Sequence, residues 1–155
     1  MASPMFFEDF EVGTTEEFGE YLVTEEEILE FASKYDPQAF HLSDEAAKAT
    51  LFGGLCASGW HTCAIAMRML VDNMPESNKS LGSPGIDELR WTRPVFPGDT
   101  LRVKTTVLSK TNSRSRPDLG SLQMQNEVFN QKNELVMSNK PIVIYRKRDL
   151  SLIHI

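Results

Sequence analysis

The stretch WHTCAIAMRMLV, from Trp60 to Val71, is apolar almost all round, with Arg68 as its main exception. A helix without a wide polar face is normally covered on most sides, so the rest of the chain has to supply that cover. Beyond this helix the period changes. Leu101, Val103, Thr105 and Val107 alternate with Arg102, Lys104 and Thr106, the repeat of a half-buried strand. Similar runs span Ile86 to Val95, Leu122 to Asn130 and Leu135 to Tyr145, joined by PGD, SRSRPDLG and NQKNE, all turn-forming chemistry. One apolar helix and a set of strands curled round it make an α+β layout. Such a sheet leaves an edge, and dimerisation through it is expected. Pro141 points to an edge position or a bulge in the last strand. Met67, Met69 and Met74 are expected as core filler.

The first half of the chain is more mixed. Phe18 to Val23 reads as a strand. Thr24 then stands as an N-cap with Glu27 three residues on, the spacing of a capping box. Ile28, Leu29, Phe31, Ala32 and Tyr35 recur at helical intervals, and Pro37 should end the helix near Tyr35. A loop leads to a short helix from Asp44 to roughly Ala49. LFGGLCASG comes next, its Gly53, Gly54 and Gly59 suggesting backbone in tight contact with something. A Pro/Gly/Ser-rich crossing, Asn73 to Gly85, connects the two halves.

No repeat or linker divides the 155 residues, so one domain is expected over 1–155, with its core at about 6–146 and a tail at 147–155. Sixteen basic against 22 acidic side chains give a net charge of −6, which repels phosphate backbones and argues against a nucleic-acid partner. No apolar run approaches the length of a membrane span, and the first residues lack the basic start of a secretory signal. Cys56 and Cys63 form no CxxC pair. A cytoplasmic setting is the expectation.

The residues with chemistry lie in Tyr35-Asp36-Pro37-Gln38-Ala39-Phe40-His41. Asp36 and His41 stand five positions apart in a loop, which can turn both toward one cleft. Moving a proton at a carbon beside a carbonyl needs such a pair, one group taking a proton and the other giving one. The second piece is Ser58-Gly59-Trp60, where the apolar helix begins. Unpaired N–H groups and the positive dipole end of a helix N-terminus suit a developing negative oxygen. Together they describe a site for adding or removing water across a double bond conjugated to a carbonyl.

The order Tyr35-Asp36-x-Gln38-x-x-His41, then AAKA, then FGGLCASG ahead of an apolar helix, resembles the MaoC-like dehydratases, a family that includes R-specific enoyl-CoA hydratases. The run Leu89-Arg90-Trp91-Thr92-Arg93-Pro94-Val95-Phe96-Pro97-Gly98-Asp99-Thr100-Leu101 is similar to the family's strand–turn–strand signature. The likeness extends from about Phe6 to Tyr145. It implies a hot dog fold, an antiparallel sheet wrapped round a long helix, usually paired as a dimer with sites near the interface. It also implies Asp36 and His41 as the acid–base pair and Gly59 as the backbone holding a thioester oxygen. Three positions depart from the family pattern: Gln38 stands where Asn is usual, Ala39 where Pro is usual, and Ser58 where His is usual. His61, one turn on, is then a possible auxiliary.

On this reading the chain is a hydro-lyase acting on a thioester of coenzyme A or acyl carrier protein. It needs no metal or redox cofactor, coenzyme A being part of the substrate. Phe40, Leu51 and Trp60 wall the acyl pocket, while Ser58 is either an N-cap or part of the oxyanion site. Lys110, Arg114 and Arg116 make a basic island that is either a solvated hairpin loop or a grip on coenzyme A phosphates. His41, His61 and Cys63 match no metal-ligand spacing. A thioesterase on the same scaffold, and a non-catalytic acyl-thioester-binding protein, remain open alternatives.

Overall fold

In the computed structural model, which describes residues 5–148, five antiparallel strands form one sheet with three helices. The strands are β1 (Thr15–Leu22), β2 (Gly85–Trp91), β3 (Thr100–Asn112), β4 (Leu119–Phe129) and β5 (Leu135–Arg146), in the order β1-β3-β4-β5-β2. The helices are α1 (Glu25–Tyr35), α2 (Asp44–Lys48) and α3 (Gly59–Asn73). The long strands curl over α3, giving the hot dog arrangement. Ile65, Ala66 and Met69 of α3 meet Leu101 and Val103 of β3, Val128 of β4 and Val136 of β5 in one buried cluster. The alternation read along β3 is real: Leu101, Val103, Thr105 and Val107 are all buried.

Local chemistry sets the boundaries. The Thr24 hydroxyl accepts the Glu27 N–H at 3.2 Å and starts α1. The Glu27 side chain does not complete the capping box; it accepts hydrogen bonds from Tyr21 and His61 instead. Helix α1 stops before Asp36, as Pro37 requires. Strand β1 begins earlier than its aromatic residues suggest, and Val23 leaves it to bond Asp99 and Gly98 at 2.8 Å each. The run expected to continue to Val95 ends at Trp91, and residues 92–95 leave the sheet.

Two expectations need correction. Pro141 is buried inside β5, between β4 and β2, and so is not at an edge. Having no N–H to donate, it lies where β4–β5 pairing lapses, between Gln123↔Ile142 and Asn126↔Asn139. The bulge is in the facing strand β2, between Asp87 and Arg90, where Glu88 has φ 51°. Helix α3 is also less covered than its composition implied. Trp60, Met67 and Val71 are 59%, 54% and 51% exposed, and of the three methionines only Met69 is buried, Met67 and Met74 being exposed. With Ala64, which is also exposed, these residues form a stripe on one face of α3.

Gly19 bends β1 across α3. Its φ is +91°, it falls within the register shift between Phe18 and Tyr21, and an added Cβ would stand 2.5 Å from Met69 Sδ. Left-handed backbone and overpacking act together here. Gly19→Ala is expected to cost at least about 2 kcal/mol in chemical denaturation; an unchanged midpoint would contradict this packing. The tail expected at 147–155 starts as ordered chain: Lys147 bonds Asn112 at 2.6 Å and Arg148 pairs with Asp9. Residues 149–155 lie outside the described residues. Among the described residues no helix is long and apolar enough to cross a membrane.

Candidate active site

Asp36 follows α1 directly, and its carbonyl accepts the Gln38 N–H at 2.8 Å. A single 3-10 turn, Ala39–His41, then folds His41 back toward the helix end. The result brings His41 Nε2 within 3.4 Å of Asp36 Oδ2. The residue found at position 38 has a direct part in this: the Gln38 amide donates to Asp36 Oδ1 at 2.6 Å. Burial by itself would raise the Asp36 carboxyl. The Gln38 amide, the nearby Ser58 hydroxyl and the His41 ring outweigh it and hold the group below its usual 3.8.

The other nitrogen of His41 fixes its role. Nδ1 lies 2.8 Å from the Cys56 carbonyl, which can only accept, so Nδ1 carries a proton and Nε2, which faces Asp36, is the nitrogen that can take up or release one. The carbonyl is itself held firmly. Leu55 N–H donates to Asp44 Oδ1 at 2.9 Å on one side, and Ala57 N–H donates to the Val95 carbonyl at 2.8 Å on the other. The Cys56 thiol is near His41 as well, but burial pushes it up to about 11, so it stays protonated.

Asp36 and His41 open onto a cleft of about 400 Å³ that also includes Ser58, Gly59, Thr62 and Arg93. Ser58 occupies the N-cap position of α3 but caps nothing; it is fully buried, and its Oγ makes no hydrogen bond of normal length, though it is near enough to Asp36 to favour the ionised carboxylate. Among the described residues no acceptor takes the N–H groups of Gly59, Trp60 or His61, so the helix tip keeps its free donors. The tight contact expected at Gly59 is made by Trp91. An ideal Cβ on Gly59 would stand 2.5 Å from the indole, whose Nε1–H donates to the Gly59 carbonyl at 2.9 Å. Trp91 meets Trp60 edge to face at 5.2 Å. Gly53 takes a left-handed φ of +73° with open space around it, and Gly54 lies against Asp44.

The expected wall residues divide. Leu51 and Trp60 line the cleft, though both are well exposed. Phe40 does not line it; it packs edge-on against the His41 ring at 4.4 Å and on Phe52. His61 is not within this site. It faces the opposite side of α3, with Nε2 3.0 Å from Glu27 Oε1 and its ring stacked on Phe31, because successive steps of about 100° per residue turn position 61 away from position 59. Arg114 and Arg116 lie at the β3–β4 turn outside the cleft, and Arg116 pairs with Asp118. Among the described residues the cleft's cation is Arg93, which pairs with Glu134 at 3.2 Å.

Trp91, Thr92, Arg93, Pro94 and Val95, inside the Leu89–Leu101 run but with no individual role legible in the sequence, make one whole wall. Besides that run, their signal in the sequence is the break in alternation before Pro94. Among the described residues no cluster of His, Cys, Asp and Glu is placed to hold a metal ion.

Residues 9–128 match the family described as MaoC like domain. The crystal structure of a MaoC-like dehydratase from Rhodospirillum rubrum is 42% identical, covering 95% of this chain and all of that one, with a TM-score of 0.87. The R-hydratase PhaJ1 from Pseudomonas aeruginosa is 25% identical over 93% of this chain and 87% of that one, with a TM-score of 0.74. A mesaconyl-CoA hydratase from Cereibacter sphaeroides is 33% identical over 93% of this chain, which spans only 42% of that enzyme's length.

Proposed function

The chain belongs to the MaoC-like domain family, and from that premise we propose that it reversibly adds water to a 2-enoyl thioester, giving the 3-hydroxyacyl thioester. The observation that carries this reading is the 3.4 Å approach of Asp36 Oδ2 and His41 Nε2 in a cleft that also holds the free donors of the α3 tip. The hydratases among its relatives, at 25% and 33% identity, support it.

In the hydration direction, Asp36 accepts a hydrogen bond from the attacking water while the Nε2 lone pair of His41 takes one of its protons. The hydroxide oxygen bonds to C3, and the C2–C3 π electrons move toward the carbonyl. The thioester oxygen, now bearing enolate charge, is held by the N–H groups at Gly59 and Trp60. The imidazolium, stabilised by the Asp36 carboxylate, returns its proton to C2. One water is consumed, and its atoms end on C2 and C3. This chemistry calls on no metal or redox group. The Ser58 hydroxyl, close to Asp36 and without a hydrogen bond of normal length, is available to the water or to the thioester oxygen. The acyl carrier is coenzyme A or acyl carrier protein.

A second copy of the chain completes the site in this reading. Leu51, at 95% exposed, and Trp60 make poor walls for an acyl chain unless something covers them. The α3 stripe runs through Trp60 and Trp91 onto β2, an edge strand with Ile86 exposed. Met67→Glu is expected to convert a dimer to monomers in sedimentation and to lower turnover with it; a wild-type chain that sediments as a monomer at micromolar concentration would remove the second copy from the scheme.

The direct assay follows enoyl absorbance and thiol release together on crotonyl-, octenoyl- and branched enoyl-CoA. Loss of absorbance without thiol is the expected result. Thiol release instead would make the chain a thioesterase, and tight binding with neither change would make it an acyl-thioester-binding protein.

A further inference from the structure

His61 is a buried titratable side chain, 3% exposed, that the proposed chemistry leaves unused. Its Nε2 bonds Glu27 Oε1 at 3.0 Å, and its ring lies parallel to Phe31 with centroids 4.7 Å apart. The same Glu27 oxygen accepts the Tyr21 hydroxyl. Three elements therefore meet at one atom: β1 through Tyr21, α1 through Glu27 and the first turn of α3 through His61. Because the carboxylate accepts, the imidazole proton sits on Nε2 and the buried, unpartnered Nδ1 carries only a lone pair. Leaving an acceptor unpaired there is cheaper than leaving an N–H unpaired, since proteins tolerate the first more often. Burial and the Glu27 carboxylate push Tyr21 up to about 12, so it remains a donor at any working pH.

The placement gives this cluster a consequence at the cleft. Helix α1 carries Glu27 and Phe31 along its length and delivers Asp36 at its end. The first turn of α3 carries the donors of Gly59 and Trp60 on one side and the His61 side chain on another. Sliding or rotating α1 against that turn breaks the His61–Glu27 bond and the Phe31 stack. We infer that the Tyr21–Glu27–His61 chain is a positioning device, which sets the spacing between the Asp36–His41 pair and the oxyanion donors of α3. Its effect on rate rests on the hydratase reading; its effect on geometry does not.

Two pairs of variants test it. His61→Phe keeps the stack and loses the donor, while His61→Gln keeps a donor. Glu27→Ala loses the shared acceptor, while Glu27→Gln keeps it. Glu27 is only partly buried, which covers the case of a His61 variant that fails to fold.

The two loss variants are expected to lower kcat about tenfold or more with little change in KM, as misplaced catalytic groups do. The conservative variants should stay near wild type, and combining the two losses should add little to either. A merely structural role would lower the melting temperature and leave kcat of the folded protein unchanged. Amide exchange over residues 58–64 is read alongside, and should quicken in the loss variants alone. Unchanged kcat in both loss variants, or conservative variants that fall equally far, overturns the inference. If the wild-type chain turns over no enoyl thioester, the hydratase reading fails separately. Exchange then decides, and equal exchange in all variants overturns the positioning role.

Discussion

His41→Ala is expected to lower turnover of the enoyl thioester at least about a hundredfold, which is about 2.7 kcal/mol of transition-state stabilisation. The reason is local. Nδ1–H donates a hydrogen bond to the Cys56 carbonyl, so Nε2 is the basic nitrogen, and it stands 3.4 Å from Asp36 Oδ2. On the proposed hydration, alanine removes the group that carries the proton between water and C2. Asp36→Asn should have an effect of similar size for a different reason. The amide keeps the shape but replaces a carboxylate held ionised by Gln38, Ser58 and His41, so the imidazolium loses its counter-charge. The two groups act on one proton, so the double variant is expected to be little worse than either single one. His41→Ala also leaves the buried Cys56 carbonyl unpaired, at a cost of about 1–3 kcal/mol, which a domain of ordinary stability survives. Circular dichroism should therefore report folded protein in both. Wild-type turnover in either folded variant would dispose of the assignment.

Gly59→Ala should be the next most damaging change. The new Cβ would stand 2.5 Å from Trp91 Cε2 and 2.8 Å from Nε1, and a fused ring cannot yield there by bending. The indole must swing away, giving up its bond to the Gly59 carbonyl and opening the cleft wall beside the helix tip. Overpacking of this kind costs about 1–3 kcal/mol, and, on the proposed hydration, misplacing the N–H groups at the α3 tip should lower turnover about tenfold or more. Tryptophan emission should change as Trp91, already 44% exposed, leaves the helix tip and its edge-to-face contact with Trp60. Adding Trp91→Ala removes the clash, so the double variant is expected to be more stable than additivity from the singles allows. Wild-type stability and emission in Gly59→Ala would show that Trp91 does not sit on the tip.

The strands and helices were legible because their patterns are local and periodic. Alternation along β3 named its buried residues, and Thr24 and Pro37 marked both ends of α1. The Asp36–His41 pair was legible for a related reason: a short loop confines two side chains five positions apart to one neighbourhood. His61 was misplaced because nothing in one dimension says which side of a buried helix faces the cleft and which faces α1. The exposed stripe of α3 was hidden in the same way, since an apolar residue reads alike whether its own sheet or a second copy covers it.

The amino-acid order by itself determined the set of elements, the helix to be wrapped and the nearness of Asp36 to His41, because each depends on contacts within a few residues. The tertiary structure alone decided that Trp91 is the group against Gly59, that Arg93 rather than Arg114 or Arg116 reaches the cleft, and that Tyr21, Glu27 and His61 converge. Those choices depend on how far the sheet curls and how α3 is rotated beneath it, and packing over the whole core sets both.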